Sequence, residues 1–220
     1  MIESKTSHVK RGRQTVRDNY NRMSHWYDLF AGSEKRFTDL GLRLLIIQPG
    51  EKVLEIGFGT GHSLVEFAQA VGGSGKVYGI DISDGMYAAA HSRVQRAGLV
   101  ERVDLQLGDA ASLPFANSFF DAVFISFTLE LFDTLDIPVV LGECKRVLRK
   151  GGRIGIVAMA EGDSLAVRLY EWAHARIPTL LDCRPIPVRE MVSGAGFLVT
   201  ETAEMSMWGL PVNVITARKL

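Results

Sequence analysis

From residue 50 onward, short apolar runs alternate with amphipathic stretches of helical period, and this alternation limits the possible folds more than any other feature. Lys52–Ile56 reads as a strand broken by Gly57–Gly61. Leu64, Phe67, Ala68 and Val71 then recur at helical spacing until Gly72-Gly73 stops them. Val77–Asp81 is a second strand, and Ser83 or Asp84 is placed to cap a helix carrying Met86, Ala90, Val94 and Ala97 on one face. Arg102–Leu107 is a third strand, and Phe119–Phe127 is nearly all apolar, as a strand buried on both faces of a parallel sheet should be. Ile137, Leu141, Cys144 and Leu148 form the inner stripe of the next helix, which runs out through Arg149 and Lys150 to Gly151-Gly152. Arg153–Met159 is the fifth strand, Pro187 opens a last helix ending near Gly196, and Phe197–Met205 and Val212–Ala217 are the final strands. The expected fold is α/β: a doubly wound, mostly parallel seven-stranded sheet with helices on both faces and an antiparallel last strand. Ligands bind such sheets at the carboxyl ends of the strands.

Two segments fall outside the repeating unit. Residues 1–48 form a basic arm and a helical lid, and residues 49–220 form the binding domain with a helical insertion at about 160–186. The arm holds Lys5, Lys10, Arg11, Arg13 and Arg17 against Glu3 and Asp18, which suits peripheral contact with an anionic membrane surface. Over the whole chain the charge is balanced, 25 basic residues against 25 acidic, which argues against a nucleic-acid partner. No apolar run is long enough for a bilayer, no secretory signal opens the chain, and two cysteines are too few for a disulfide framework. A cytoplasmic protein is the expectation.

The stretch Glu55-Ile56-Gly57-Phe58-Gly59-Thr60-Gly61 carries the chemistry. A glycine turn between strand and helix lets backbone approach a ligand, and the helix start offers amide donors. The dinucleotide fingerprint needs a third glycine where His62 stands. The spacing is instead G-x-G-x-G, with Glu55 two residues ahead. A carboxylate there repels a pyrophosphate and suits a cationic amine. Asp81, at the end of the second strand, can accept from both hydroxyls of a ribose, and Asp109 after the third can accept from an adenine amine. Amine, ribose diol and adenine without phosphate describe S-adenosyl-L-methionine.

On Glu55–Gly61, Gly79–Ser83, Gly108–Ala110, Ser118–Phe127 and Arg146–Ile154, the chain resembles class I S-adenosylmethionine-dependent methyltransferases over residues 20–218. Leu113-Pro114-Phe115, Asn117–Asp121 and the N-terminal Tyr20 and Trp26-Tyr27-Asp28 make it most similar to the ubiquinone/menaquinone-biosynthesis C-methyltransferase group. The resemblance implies methyl transfer to a small aromatic, quinol-like or lipid-like acceptor. Phosphatidylethanolamine or small-metabolite N-methylation is the neighbouring alternative, and an inactive cofactor-binding module or a nicotinamide oxidoreductase is more distant. It further implies that Tyr20 and Tyr27 close over the cofactor, and that Phe58, Ile82, Met86, Ala110, Ser126 and Phe127 line its pocket with Glu55, Gly57, Gly59, Gly61, Asp81 and Asp109.

A sulfonium is already activated, so the protein need only align the partners, exclude water and help one proton leave. His25, Glu130 and His174 are the candidates for that proton, His62 could line the cofactor pocket, and His91 belongs on a solvated helix face. The sequence after the fourth strand, Ser126-Phe127-Thr128-Leu129-Glu130, lacks the Asn/Asp-Pro-Pro-aromatic run that amino-methylating enzymes of nucleic acid and glutamine use. No His/Asp cluster has metal-ligand spacing, so a metal-free mechanism is expected.

Overall fold

The computed structural model describes residues 27–162, 167, 168, 170 and 184–220, with side chains from residue 34 onward. Seven strands form one sheet: β1 Lys52–Ile56, β2 Lys76–Asp81, β3 Val103–Leu107, β4 Phe120–Ser126, β5 Leu148–Met159, β6 Phe197–Met207 and β7 Leu210–Lys219. Their order is β3-β2-β1-β4-β5-β7-β6. The first five pair in parallel, and β7 runs antiparallel to both β5 and β6. The helices are α1 Tyr27–Leu45, α2 His62–Ala70, α3 Asp84–Arg96, α4 Ile137–Val147 and α5 Val188–Gly194. The order turns back between β1 and β4, so a crevice opens at the carboxyl ends of these two strands.

Alternation along each strand divides the core in two. Leu54, Ile56, Val123 and Ile125 face α4 and α5, joining Ile137, Leu141, Cys144 and Val192. Val53, Val77, Phe124 and Val157 face the opposite way, joining Phe37 and Leu45 of α1, Leu64 and Phe67 of α2, and Val94 of α3. Phe37 and Leu45 are fully buried. A Cβ at Gly41 would stand 2.9 Å from both Phe124 and Val157, so only a residue without a side chain lets α1 lie this close to the sheet. Within residues 1–48, the stretch from Phe37 to Leu45 therefore packs directly on the sheet. Arg153 fastens the end of this helix, donating to the Leu45 and Ile46 carbonyls (2.9 and 3.2 Å) and to Glu51 (2.6 Å).

Two local expectations are corrected. The fourth helix stops at Val147, and Leu148 begins β5 opposite Phe120. Arg149 and Lys150 thus lie on an irregular strand start, where Arg149 pairs with Asp121 at 2.7 Å. Ala97 is exposed at the end of α3, and the residue buried beneath that turn is Leu99, beyond left-handed Gly98. The last helix, Val188–Gly194, follows Pro187 and ends close to Gly196, as expected.

Arg146 secures the loop before β4. Its guanidinium donates to Glu143 (2.7 and 2.8 Å), to the Leu113 and Phe115 carbonyls (2.9 and 2.7 Å) and to Asn117 (2.9 Å). Glu143 also accepts from the Leu113 amide at 2.8 Å. The planar fork satisfies two loop carbonyls that would otherwise lack donors, a task a lysine ammonium could not fill in the same geometry.

Candidate active site

The glycine turn after β1 holds its shape through its own backbone. The Gly57 amide donates to the Ile80 carbonyl (2.8 Å), Gly59 to the Asp81 carboxylate (3.1 Å) and Gly61 to the Phe58 carbonyl (2.9 Å). These three glycines have positive φ, and a Cβ at Gly57 would meet Thr128 at 2.3 Å. Three loop amides are thus spent on its own fold, and the first turn of α2, which has no side-chain cap, offers further donors.

Two chambers meet at this turn. One is walled by Gly57, Gly59, Asp81, Ile82, Met86, Asp109, Ala110, Ser126 and Phe127, and beyond them by Thr128, Leu131, Phe132, Asp133 and Asp136 among others. The other is walled by Glu55, Gly57, Phe58, Gly59, Gly61 and Ser126, together with Glu34, Thr38 and Asp39 of α1. Gly57, Gly59 and Ser126 belong to both. The structure therefore brings together twelve of the fourteen expected pocket residues. Tyr20, His25 and His174 lie outside the described residues, and Tyr27 opens α1 without a described side chain.

Glu55 is 2% exposed, and its Oε2 has no hydrogen-bond partner. Burial pushes its pKa well above the ordinary carboxylate range; a hydrogen bond from Ser63 opposes the rise and the nearby Asp81 charge adds to it. An orphaned acidic oxygen at the wall of a chamber fits a cationic amine, which would supply both the missing donor and the countercharge. Asp81 accepts from the Gly59 amide on one oxygen and from the Ser83 amide (2.9 Å) on the other, and burial still raises it to about 6. Asp109 Oδ1 accepts from the Ala111 amide at 2.9 Å, so this side chain also shapes its own turn.

The far wall is built by strain and by α1. Phe127 adopts a left-handed φ of 47°, uncommon for a bulky residue, and its amide donates to the Val157 carbonyl at 2.8 Å. Its ring meets Phe37 edge-on at 6.0 Å. Ser126 bonds the Thr38 hydroxyl at 2.9 Å, which ties α1 to the point where the chambers join. Thr38, Glu34 and Asp39 carry no motif signal; a polar face on the helix preceding β1 was the only hint of them. His62 lines the second chamber on its exposed side and contacts Arg93 of α3. His91 is exposed and stacks on Tyr87, as a solvated face requires. Cys144 is buried, with its thiol pushed up to about 12, and so is inert.

Residues 53–152 match a family described as a methyltransferase domain. The demethylmenaquinone methyltransferase of Anoxybacillus flavithermus is 31% identical over 176 residues, covering 80% of this chain and 72% of its own length. That of Symbiobacterium thermophilum is 26% identical over 243 residues, covering 99% of this chain and 95% of that one. A solved S-adenosylmethionine-dependent methyltransferase from Aquifex aeolicus superposes with a TM-score of 0.66 at 20% identity, covering 96% of this chain and 100% of that one. The chain belongs to the class I S-adenosylmethionine-dependent methyltransferases. Within that class it is related to the enzymes of quinone biosynthesis.

Proposed function

We propose that this chain transfers the methyl group of S-adenosyl-L-methionine to a small aromatic, quinol-like or lipid-like acceptor, with the donor held across the two chambers. The observation that carries the reading is the orphaned Glu55 oxygen, which matches the amine of the donor. Asp81 takes the ribose hydroxyls and Asp109 the adenine amine, while Ile82, Met86, Ala110 and Phe127 form apolar walls. The donor brings a methyl group already activated on a positively charged sulfur. The chain's own contribution is alignment by Glu55, Asp81 and the first turn of α2, and exclusion of water by Phe58 and Phe127. Tyr20 and Tyr27 close over the donor in this reading. The demethylmenaquinone methyltransferases among its relatives support a quinol-like acceptor, and Phe127, Leu131 and Phe132 offer an aromatic ring an apolar surface. No helix among the described residues is long and apolar enough to cross a membrane.

Thermal unfolding tests the donor assignment. S-adenosylhomocysteine at a hundred times its Kd should stabilise the protein by about 2.7 kcal/mol, and NAD should not. Asp81→Ala should abolish the shift, and an equal shift in wild type and variant would remove Asp81 from the site. Transfer of labelled methyl to a panel of quinols, phenols and phosphatidylethanolamine then reads the acceptor. Turnover of phosphatidylethanolamine alone would replace the quinol reading with N-methylation.

A further inference from the structure

Glu130, a candidate for the acceptor's proton, lines neither chamber: it is 1% exposed in the turn after β4, and its Oε1 accepts from the Met159 amide at 3.2 Å. The outer surface says more. Among the described residues, the two large apolar side chains most open to solvent are Leu135 and Trp208, at 75% and 74%. Both stand at the carboxyl edge of the sheet, where the chambers open. Leu135 lies between Asp133 and Asp136, which line the first chamber, and Val139 in the first turn of α4 is exposed as well. Trp208 forms the tip of the β6–β7 hairpin. The last pair between β5 and β7 is Met159 with Val212, so the tip projects roughly 10 Å beyond it at about 3.4 Å per residue. The base of this projection is fixed. Met207 and Leu210 are buried in one cluster with Val167, the Ala160 amide donates to the Pro211 carbonyl at 2.9 Å, and Arg36 of α1 donates to the Ser206 carbonyl.

Trp208 does not suit the turn it occupies. It and Gly209 have φ of 54° and 84°, in a two-residue loop closed by the pair Met207 and Leu210. Asn-Gly fills such turns by preference, and a bulky residue is strained there. So exposed an indole repays little of that strain within the fold. An amphipathic ring held out on a fixed arm does suit the boundary between lipid headgroups and acyl chains. Cations attend it. α1 runs from this edge, where Thr38 meets Ser126, to the opposite one, where the Leu45 carbonyl meets Arg153. Arg36 therefore stands beside the hairpin, and Lys5, Lys10, Arg11, Arg13 and Arg17 precede the same end of α1 in the chain.

We propose that the carboxyl edge of the sheet docks on a lipid bilayer bearing anionic headgroups, with Trp208 and Leu135 as its apolar anchors. The anchors flank β5, because β4, which Leu135 follows, and β7 are its two neighbours in the sheet. This deepens the methyltransferase reading and rests on it for the acceptor: the mouth of the site faces the bilayer, so a lipid-like acceptor reaches the donor without crossing water. Two side chains and a few charges give reversible attachment, which needs no helix across the membrane.

The test sediments the full chain with vesicles of phosphatidylcholine mixed with phosphatidylglycerol, or of phosphatidylcholine alone. The wild type should bind the mixed vesicles more tightly. Trp208→Asn should weaken that binding by about tenfold or more, the worth of one buried aromatic side chain, and Leu135→Ser by about fivefold. Trp208→Asn should unfold at the wild-type temperature or above, because asparagine suits the turn. Both variants should bind S-adenosylhomocysteine within about twofold of wild type, since neither residue lines a chamber. A wild type that stays in the supernatant, or a folded Trp208→Asn that binds as wild type does, overturns the docking assignment and leaves the methyltransferase reading standing. Dimerisation that Trp208→Asn abolishes, without vesicle binding, overturns it in favour of a second copy of this chain. Equal binding to both kinds of vesicle removes the anionic headgroups from the assignment. A wild type that binds vesicles but not S-adenosylhomocysteine overturns the methyltransferase reading, and with it the bilayer as source of the acceptor.

Discussion

Asp81 gives ligand binding and ligand-free stability opposite dependences on pH. Burial raises its pKa from 3.8 to about 6. If a ribose diol binds the ionised form, binding below that pKa must first release a proton. At pH 7 about nine in ten Asp81 side chains are ionised and at pH 5 about one in ten, so adenosine should bind about tenfold more weakly at pH 5. Adenosine has no amino-acid moiety, which leaves Glu55 out of the measurement. S-adenosylhomocysteine should lose more over the same range, because the raised Glu55 must ionise as well. Stability of the free protein follows the other sign. A carboxyl whose folded pKa is raised contributes stability below its unfolded pKa and loses it as pH rises through the folded value. The full span is about 3 kcal/mol, of which about 1.3 kcal/mol is regained between pH 7 and pH 5. Calorimetric titration of adenosine and denaturant unfolding, each at pH 5, 6 and 7, would read both effects, with Asp81→Asn as the control that flattens the adenosine dependence and removes about 1.3 kcal/mol from the stability change, the raised Glu55 and Glu130 keeping the rest. Adenosine affinity that does not vary with pH, or that varies equally in Asp81→Asn, would refute this account of the ribose site. Parallel pH slopes for adenosine and S-adenosylhomocysteine would show that Glu55 does not meet the amine.

Two further substitutions address the scaffold. Gly57→Ala places a Cβ 2.3 Å from Thr128 at a φ of +69° and should cost about 1–3 kcal/mol while abolishing the S-adenosylhomocysteine shift; a wild-type shift would mean that the turn can relax. Phe37→Ala should cost about 3–5 kcal/mol in denaturant unfolding, because the ring is fully buried on the sheet face and against Phe127; a loss below about 1 kcal/mol would make α1 peripheral after all.

The strands β1 to β4 and the convergence of Glu55, Asp81 and Asp109 were legible because each depends on local pattern. A parallel strand buried on both faces reads as an apolar run, and parallel strands bring their carboxyl ends to one edge of the sheet. Residues placed at or just beyond those ends must therefore meet. The end of α4 was less legible, because Leu148 suits the buried stripe of a helix as well as a strand start, and only its pairing with Phe120 decides. Ala97 was misplaced for a similar reason: helical period extended the stripe one turn past the point where Gly98 turns the chain and Leu99 fills the gap.

Order along the chain was thus enough to expect a mostly parallel seven-stranded sheet and the acidic side chains at its rim, since periodicity and turn chemistry act over a few residues. What required the folded molecule was everything set by contact between distant segments. The approach of α1 through Gly41 brings Thr38 to Ser126, and burial strips Glu55 and Glu130 of water while leaving one oxygen of each without a partner. Those properties come from desolvation and close packing across the whole domain, which no local spacing encodes.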